Sequence, residues 1–130
     1  MQGLHILAEL HQCAGSPALL RDAQELAALC KSVCQAAGLA PVAEAFHQFA
    51  GAGATGAVVL AESHLAIHTW PELGAVTLDL YVCNFSQDNN AAAERAFTAL
   101  ATAFSPGRVL RRDIKRGEIH LNHPGDAGMR

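Results

Sequence analysis

Long apolar runs are missing from this chain. Although 51% of its residues are hydrophobic, stretches such as Ala57-Val58-Val59-Leu60-Ala61 stop far short of the ~20 apolar residues a membrane helix needs. No basic leader opens the sequence, so the expectation is a soluble, cytoplasmic protein with no membrane partner. Positive charge is not in excess either. Lys and Arg number 9 against 12 Asp and Glu, a net charge of −3, which leaves no broad basic footprint for nucleic acid. The one basic cluster, Arg108, Arg111, Arg112, Lys115 and Arg116, is interrupted by Val109, Leu110 and Ile114 and reads as a solvated strand edge rather than a polyanion site. The cysteines Cys13, Cys30, Cys34 and Cys83 form no C-x-x-C pair and lack the density of a secreted disulfide framework. Cys30 and Cys34 lie one helical turn apart on an apolar face, where free cysteine is an ordinary core residue.

What is present suffices for one domain. At 130 residues, without an internal repeat or linker, the chain can bury about two-thirds of the surface its unfolded form exposes. Residues 3–9 alternate weakly, Leu4, Ile6 and Ala8 against His5, Leu7 and Glu9, as a buried strand does. Ser16-Pro17 supplies a helix start. From 19 to 37 the apolar residues Leu19, Ala23, Leu26, Cys30, Val33 and Ala37 repeat near 3.6, which predicts one long amphipathic helix ended by Gly38. Residues 41–49 return to a strand pattern, and Ala50-Gly51-Ala52-Gly53-Ala54-Thr55-Gly56 reads as a turning loop. Residues 56–61 and 65–70 suit strands separated by the polar knot Glu62-Ser63-His64, with Pro71-Glu72-Leu73-Gly74 as a turn. Residues 76–83 alternate cleanly, Val76, Leu78, Leu80 and Val82 against Thr77, Asp79, Tyr81 and Cys83. A second helix over 90–104 and a last strand over 108–115 precede a loose tail from 117 onward. This order predicts an α+β fold, a two-layer α/β sandwich with helices on one face of a mainly antiparallel sheet. The other face needs a cover, and a second copy of the chain is the expected supplier, giving a homodimer.

The chemistry concentrates around Ser63. A serine can attack a substrate, or it can attack the carbonyl of the residue before it. The first role usually places the serine in Gly-x-Ser-x-Gly on a strand-to-helix elbow, and Glu62-Ser63-His64 has no such glycines. A zinc site would use His64 and His68, but that spacing converges only on a helix. Ile67, Thr69 and Trp70 favour a strand, where the two rings stand about 13 Å apart along the chain. No metal is expected.

Glu62-Ser63-His64, Ile67-His68-Thr69-Trp70-Pro71-Glu72, Asp79 and Cys83, with Gly3-x-His5 at the start and Arg116-Gly117 near the end, closely resemble the prokaryotic S-adenosylmethionine decarboxylase proenzymes. The resemblance covers nearly the whole chain. It implies that Ser63 attacks the Glu62 carbonyl and that elimination cuts the chain into 1–62 and 63–130, leaving a pyruvoyl cofactor at residue 63. His68 is then the base that takes the Ser63 α-proton, a task suited to imidazole near neutral pH. Thr55, where the family usually has serine, carries the hydroxyl that supports the ester intermediate, with a stiffer χ1 and a slower expected processing rate. The pyruvoyl carbonyl forms a Schiff base with the substrate amine and accepts the electrons released with carbon dioxide. Cys83 is the implied proton donor, since a thiol is still protonated at neutral pH. Phe49 and Trp70 are implied to stack on adenine or face the sulfonium, and Glu72 to bind ribose hydroxyls. His5 and Glu9 match the first strand as structural or catalytic polar residues.

The chain departs from the family where Gly51 and Ala52 replace a common proline and aromatic, at Leu73 and Ala75 in the turn, and at Asn84 after the cysteine. Two further readings stay open on the sequence. One is a pyruvoyl-dependent arginine or ornithine decarboxylase, in which a carboxylate holds the substrate cation. The other is an uncleaved, non-catalytic paralogue serving as a regulatory or interaction subunit.

Overall fold

The computed structural model describes residues 2–85 and 87–117. Six strands, β1 (Gly3–His11), β2 (Pro41–Gln48), β3 (Ala54–Leu60), β4 (His64–Trp70), β5 (Ala75–Cys83) and β6 (Arg108–Arg116), form one sheet in the order β2-β3-β4-β5-β1-β6. Every neighbouring pair is antiparallel. Helices α1 (Pro17–Arg21), α2 (Ala23–Ala37) and α3 (Asn90–Phe104) supply the second layer. The predicted α+β class is the observed one.

The strands dictate this arrangement through their period of two. Ile6 and Leu10 of β1, Val58 of β3, Leu65 and Ile67 of β4, and Val76, Leu80 and Val82 of β5 are essentially fully buried on one face. Leu26, Cys30 and Cys34 of α2 and Ala93, Leu100 and Phe104 of α3 meet them. Each fully buried Leu or Phe contributes about 1.5–3 kcal/mol of transfer free energy. The opposite sheet face carries His5, Leu7 and Glu9, His64, Ala66 and His68, and Thr77, Asp79 and Tyr81, and among the described residues no element covers it.

The long helix expected over 19–37 is two helices. Asp22 has extended backbone, φ −108° and ψ 114°, and its carboxylate accepts from the Gln24 and Glu25 amides, so it caps α2 and ends α1. The apolar period runs through the break, which is why it hid it. β3 starts at Ala54 and β4 already at His64, leaving only residues 61–63 as the turn between them. The tail predicted to be loose lies, from residue 118 on, outside the described residues. The basic strand β6 sits at the sheet edge as expected, with Arg111 paired to Glu94 and Asp113 and stacked 4.7 Å from the Phe97 ring. Among the described residues no helix is long and apolar enough to cross a membrane.

Close packing leaves no room for a side chain at Gly56. A Cβ on Gly56 would lie 2.0 Å from the Phe46 ring across the β2–β3 ladder. Gly56→Ala should therefore destabilise the protein by about 1–3 kcal/mol, read as a lower urea midpoint. An unchanged midpoint would mean that Phe46 swings clear.

Candidate active site

Ser63 is the last residue of the three-residue turn, 61–63, that joins β3 to β4. The Leu60 amide donates to the Ser63 carbonyl at 2.9 Å, and the Ala61 amide donates to Ala40 O at 3.1 Å. The Glu62–Ser63 peptide thus lies at a corner, outside the ladder that runs from Val59↔His64 to Thr55↔His68. A break there would leave both strands paired. The piece 1–62 would also keep β1 inserted between β5 and β6 of the other piece.

The sequence-predicted residues fall into two groups at opposite ends of the uncovered face. At the Ser63 end, His64 pairs with Tyr81 and Gly3 with Cys83, so Cys83 closes β5 beside the turn. The thiol is buried, with 6% relative exposure. At the other end, Thr55 and His68 are directly opposed across β3 and β4, and Thr55 Oγ1 lies 2.9 Å from His68 Nδ1. His68 and Trp70 have ring centroids 5.8 Å apart. Phe49, Thr55, His68, Trp70 and Glu72 line one cavity of about 350 Å³. Five residues of extended strand separate Ser63 from His68, about 16 Å. A single copy therefore does not bring the hydroxyl to the imidazole. Glu9 lies two strands from His68 through Thr77, and its carboxylate meets His11 at 2.9 Å. A concavity of about 650 Å³ lined by Glu9, His68, Asp79 and Arg112 runs between the two ends.

Sequence reasoning left His64 unassigned and used Asp79 only as part of a motif. Asp79 Oδ2 accepts from His5 Nε2 at 2.9 Å and from His64 Nε2 at 2.8 Å, bridging β1, β4 and β5 next to Ser63. Arg116 approaches His5 Nδ1 at 3.3 Å. A guanidinium only donates, so Nδ1 is the acceptor and Nε2 carries the proton given to Asp79. His5, His64 and Asp79 thus form one hydrogen-bonded network, with their nearest donor and acceptor atoms within 4.8 Å of one another. Arg116 also stacks 4.6 Å from the Tyr81 ring. The Tyr81 hydroxyl fills the space over Gly3, 3.0 Å from where a Cβ would sit. Burial and the neighbouring Cys83 push that hydroxyl above its ordinary pKa against the pull of Arg116. The signal that could have found this network is the run of polar residues on one face of β5.

Burial tends to raise the Asp79 pKa, but the two imidazole hydrogen bonds outweigh it and hold the carboxyl below its ordinary value. A depressed carboxylate contributes stability that is full above the unfolded value of about 4 and disappears as pH falls through the folded one. Asp79→Asn should cost about 1–3 kcal/mol at pH 7 and flatten the acid limb of the stability profile. An unchanged acid limb would count against the network. Elsewhere, burial lifts the Cys30 thiol to about 12 and that of Cys34 to about 11, so neither ionises at neutral pH.

Residues 4–117 match the family described as S-adenosylmethionine decarboxylase. Proteins named S-adenosylmethionine decarboxylase proenzyme from Picrophilus torridus and Aquifex aeolicus are 35% and 36% identical to this chain, over 88% and 90% of it and 84% and 82% of their own lengths. The one from Acidithiobacillus ferrooxidans is 35% identical over 92% of this chain and 85% of its own. The crystal structure of the adenosylmethionine decarboxylase from Aquifex aeolicus superposes with a TM-score of 0.81 at 32% identity, over 93% of this chain and 95% of that one.

Proposed function

The chain belongs to the S-adenosylmethionine decarboxylase family, and from that premise we propose that it is a self-cleaving proenzyme whose mature form releases carbon dioxide from S-adenosylmethionine. The product is the aminopropyl donor of spermidine synthesis. The observation that carries this is the location of Glu62–Ser63 at a half-buried hairpin corner, with His64, His68 and Asp79 on the sheet face that no described element covers. The agreement of family and relatives favours this substrate over arginine or ornithine, and favours a processed enzyme over an uncleaved paralogue.

In processing, Ser63 Oγ attacks the Glu62 carbonyl and the amide becomes an ester. His68 removes the Ser63 α-proton, and the C–O bond breaks to release the Glu62 carboxylate. Water then replaces nitrogen on the dehydrated residue, and ammonia leaves. Thr55 holds the His68 ring through the Nδ1 contact and thereby aims its other nitrogen. The resulting pyruvoyl group supplies a carbonyl for the substrate amine and a sink for the electrons of the lost carboxylate. Phe49 and Trp70 bind the adenine face, Glu72 accepts from the ribose, and Cys83 gives the returning proton. Cys83→Ala should leave cleavage intact while turnover falls about 10²–10⁴-fold. Normal turnover would remove Cys83 from the role.

The 16 Å gap is the reason to place the working unit in a homodimer. A two-fold axis lying between two bare sheet faces and across the strands sets the Ser63–Cys83 end of one copy over the Thr55–His68–Trp70 end of the other. Exposed Leu110, Ile114 and Val59 then find cover. A cytoplasmic location accords with the lack of a membrane-crossing helix among the described residues. The direct test is carbon dioxide release by the purified protein from S-adenosylmethionine, arginine and ornithine in parallel. Release from the first alone is expected, and release only from either of the others would overturn the assignment.

A further inference from the structure

The β2–β3 turn that carries Phe49 has almost no side chains of its own, since Ala50-Gly51-Ala52-Gly53 follow. Gly51 sits at φ +68°, a conformation other residues rarely adopt. Within the turn, the Phe49 amide donates to Gly53 O at 3.0 Å and the Ala52 amide to Phe49 O at 3.2 Å. The last residue of β2 adds the remaining hold. Gln48 Nε2 lies 2.7 Å from Arg21 O, 3.2 Å from Phe49 O, 3.4 Å from Ala52 O and 3.2 Å from Gly53 O. Its Oε1 accepts from the Ala23 amide at 2.7 Å. One amide thus joins the α1–α2 junction to three carbonyls of the turn. A second cavity, of about 460 Å³, is walled by Arg21, Gln48, Phe49 and Glu72, so the turn divides it from the one lined by Trp70 and His68.

We propose that Gln48 is a positioning residue for substrate affinity, its side-chain amide holding the Phe49 turn so that Phe49, Trp70 and Glu72 keep the spacing that receives the flat, hydroxylated end of the substrate. This rests on the function proposed for that cavity. A turn built from alanine and glycine loses more entropy on ordering than one stiffened by bulky residues or proline. Gln48 compensates with hydrogen bonds. Without them the turn spends less time in its binding form, and apparent affinity falls by that fraction. Gln48→Glu is the sharper variant. It keeps the size and the acceptor for Ala23, yet it turns a carboxylate oxygen toward four carbonyl oxygens.

The test uses the cleaved enzyme and S-adenosylmethionine. Gln48→Ala and Gln48→Glu should raise KM about tenfold, with kcat changed much less. The chain has a single tryptophan, Trp70, so its fluorescence gives Kd without turnover on the Ser63→Ala precursor, where the same tenfold weakening is expected. Hydrogen exchange at the Phe49 and Ala52 amides should accelerate in both Gln48 variants. Val33→Ala, in α2 and buried away from the turn, serves as a control of lowered stability and should leave Kd unchanged. Unaltered KM and Kd in the Gln48 variants would overturn the proposal, as would equal weakening by Val33→Ala. If the unsubstituted enzyme neither binds nor decarboxylates S-adenosylmethionine, the functional reading and the affinity role fall together, and exchange then reads the turn alone.

Discussion

Ser63→Ala should remain one uncut chain of 13.7 kDa, folded, with no decarboxylase activity. Alanine has no oxygen to attack the Glu62 carbonyl, so neither the ester nor the carbonyl that follows from it can form. The expected loss is complete to the uncatalysed background, at least ~10⁶-fold by the usual scale of enzymatic acceleration. Folding should survive, because Ser63 lies in a turn and contributes backbone contacts to Leu60 that alanine can also make. A melting temperature close to that of the parent would separate lost chemistry from lost structure. Cleavage persisting in this variant would remove Ser63 from the mechanism, and so would activity without cleavage.

The second large effect concerns which copy supplies which residue. Cys83→Ala and His68→Ala should each be nearly inactive alone, the first for want of the proton donor and the second because the Ser63 α-proton stays in place. Co-expressed, they should recover about a quarter of parental activity. Random pairing makes half the dimers mixed, and in each mixed dimer one of two shared sites draws its Cys83 end and its His68 end from unaltered partners. A site contained in one copy would recover nothing. The geometry favours recovery, since His68 faces Thr77, six residues of β5 from Cys83.

The sheet and its faces were legible because alternation over 76–83 and the apolar period of the helices report burial directly. The α1–α2 break was not, since a cap such as Asp22 can interrupt a helix without interrupting its apolar face. Ser63, His68 and Trp70 stood out through their motif. Their separation was legible in the strand reading too, since each residue of extended strand adds about 3.3 Å. The His5–His64–Asp79 network and the Gln48 hold on the Phe49 turn depend on partners 74, 15 and 27 positions away, which only the strand order and helix docking bring together.

The most direct measurement is the intact mass of the purified protein after prolonged incubation, before and after borohydride treatment. A self-made carbonyl predicts two chains, 1–62 and 63–130, the second gaining the mass of two hydrogens on reduction. A single full-length chain that decarboxylates S-adenosylmethionine would contradict it.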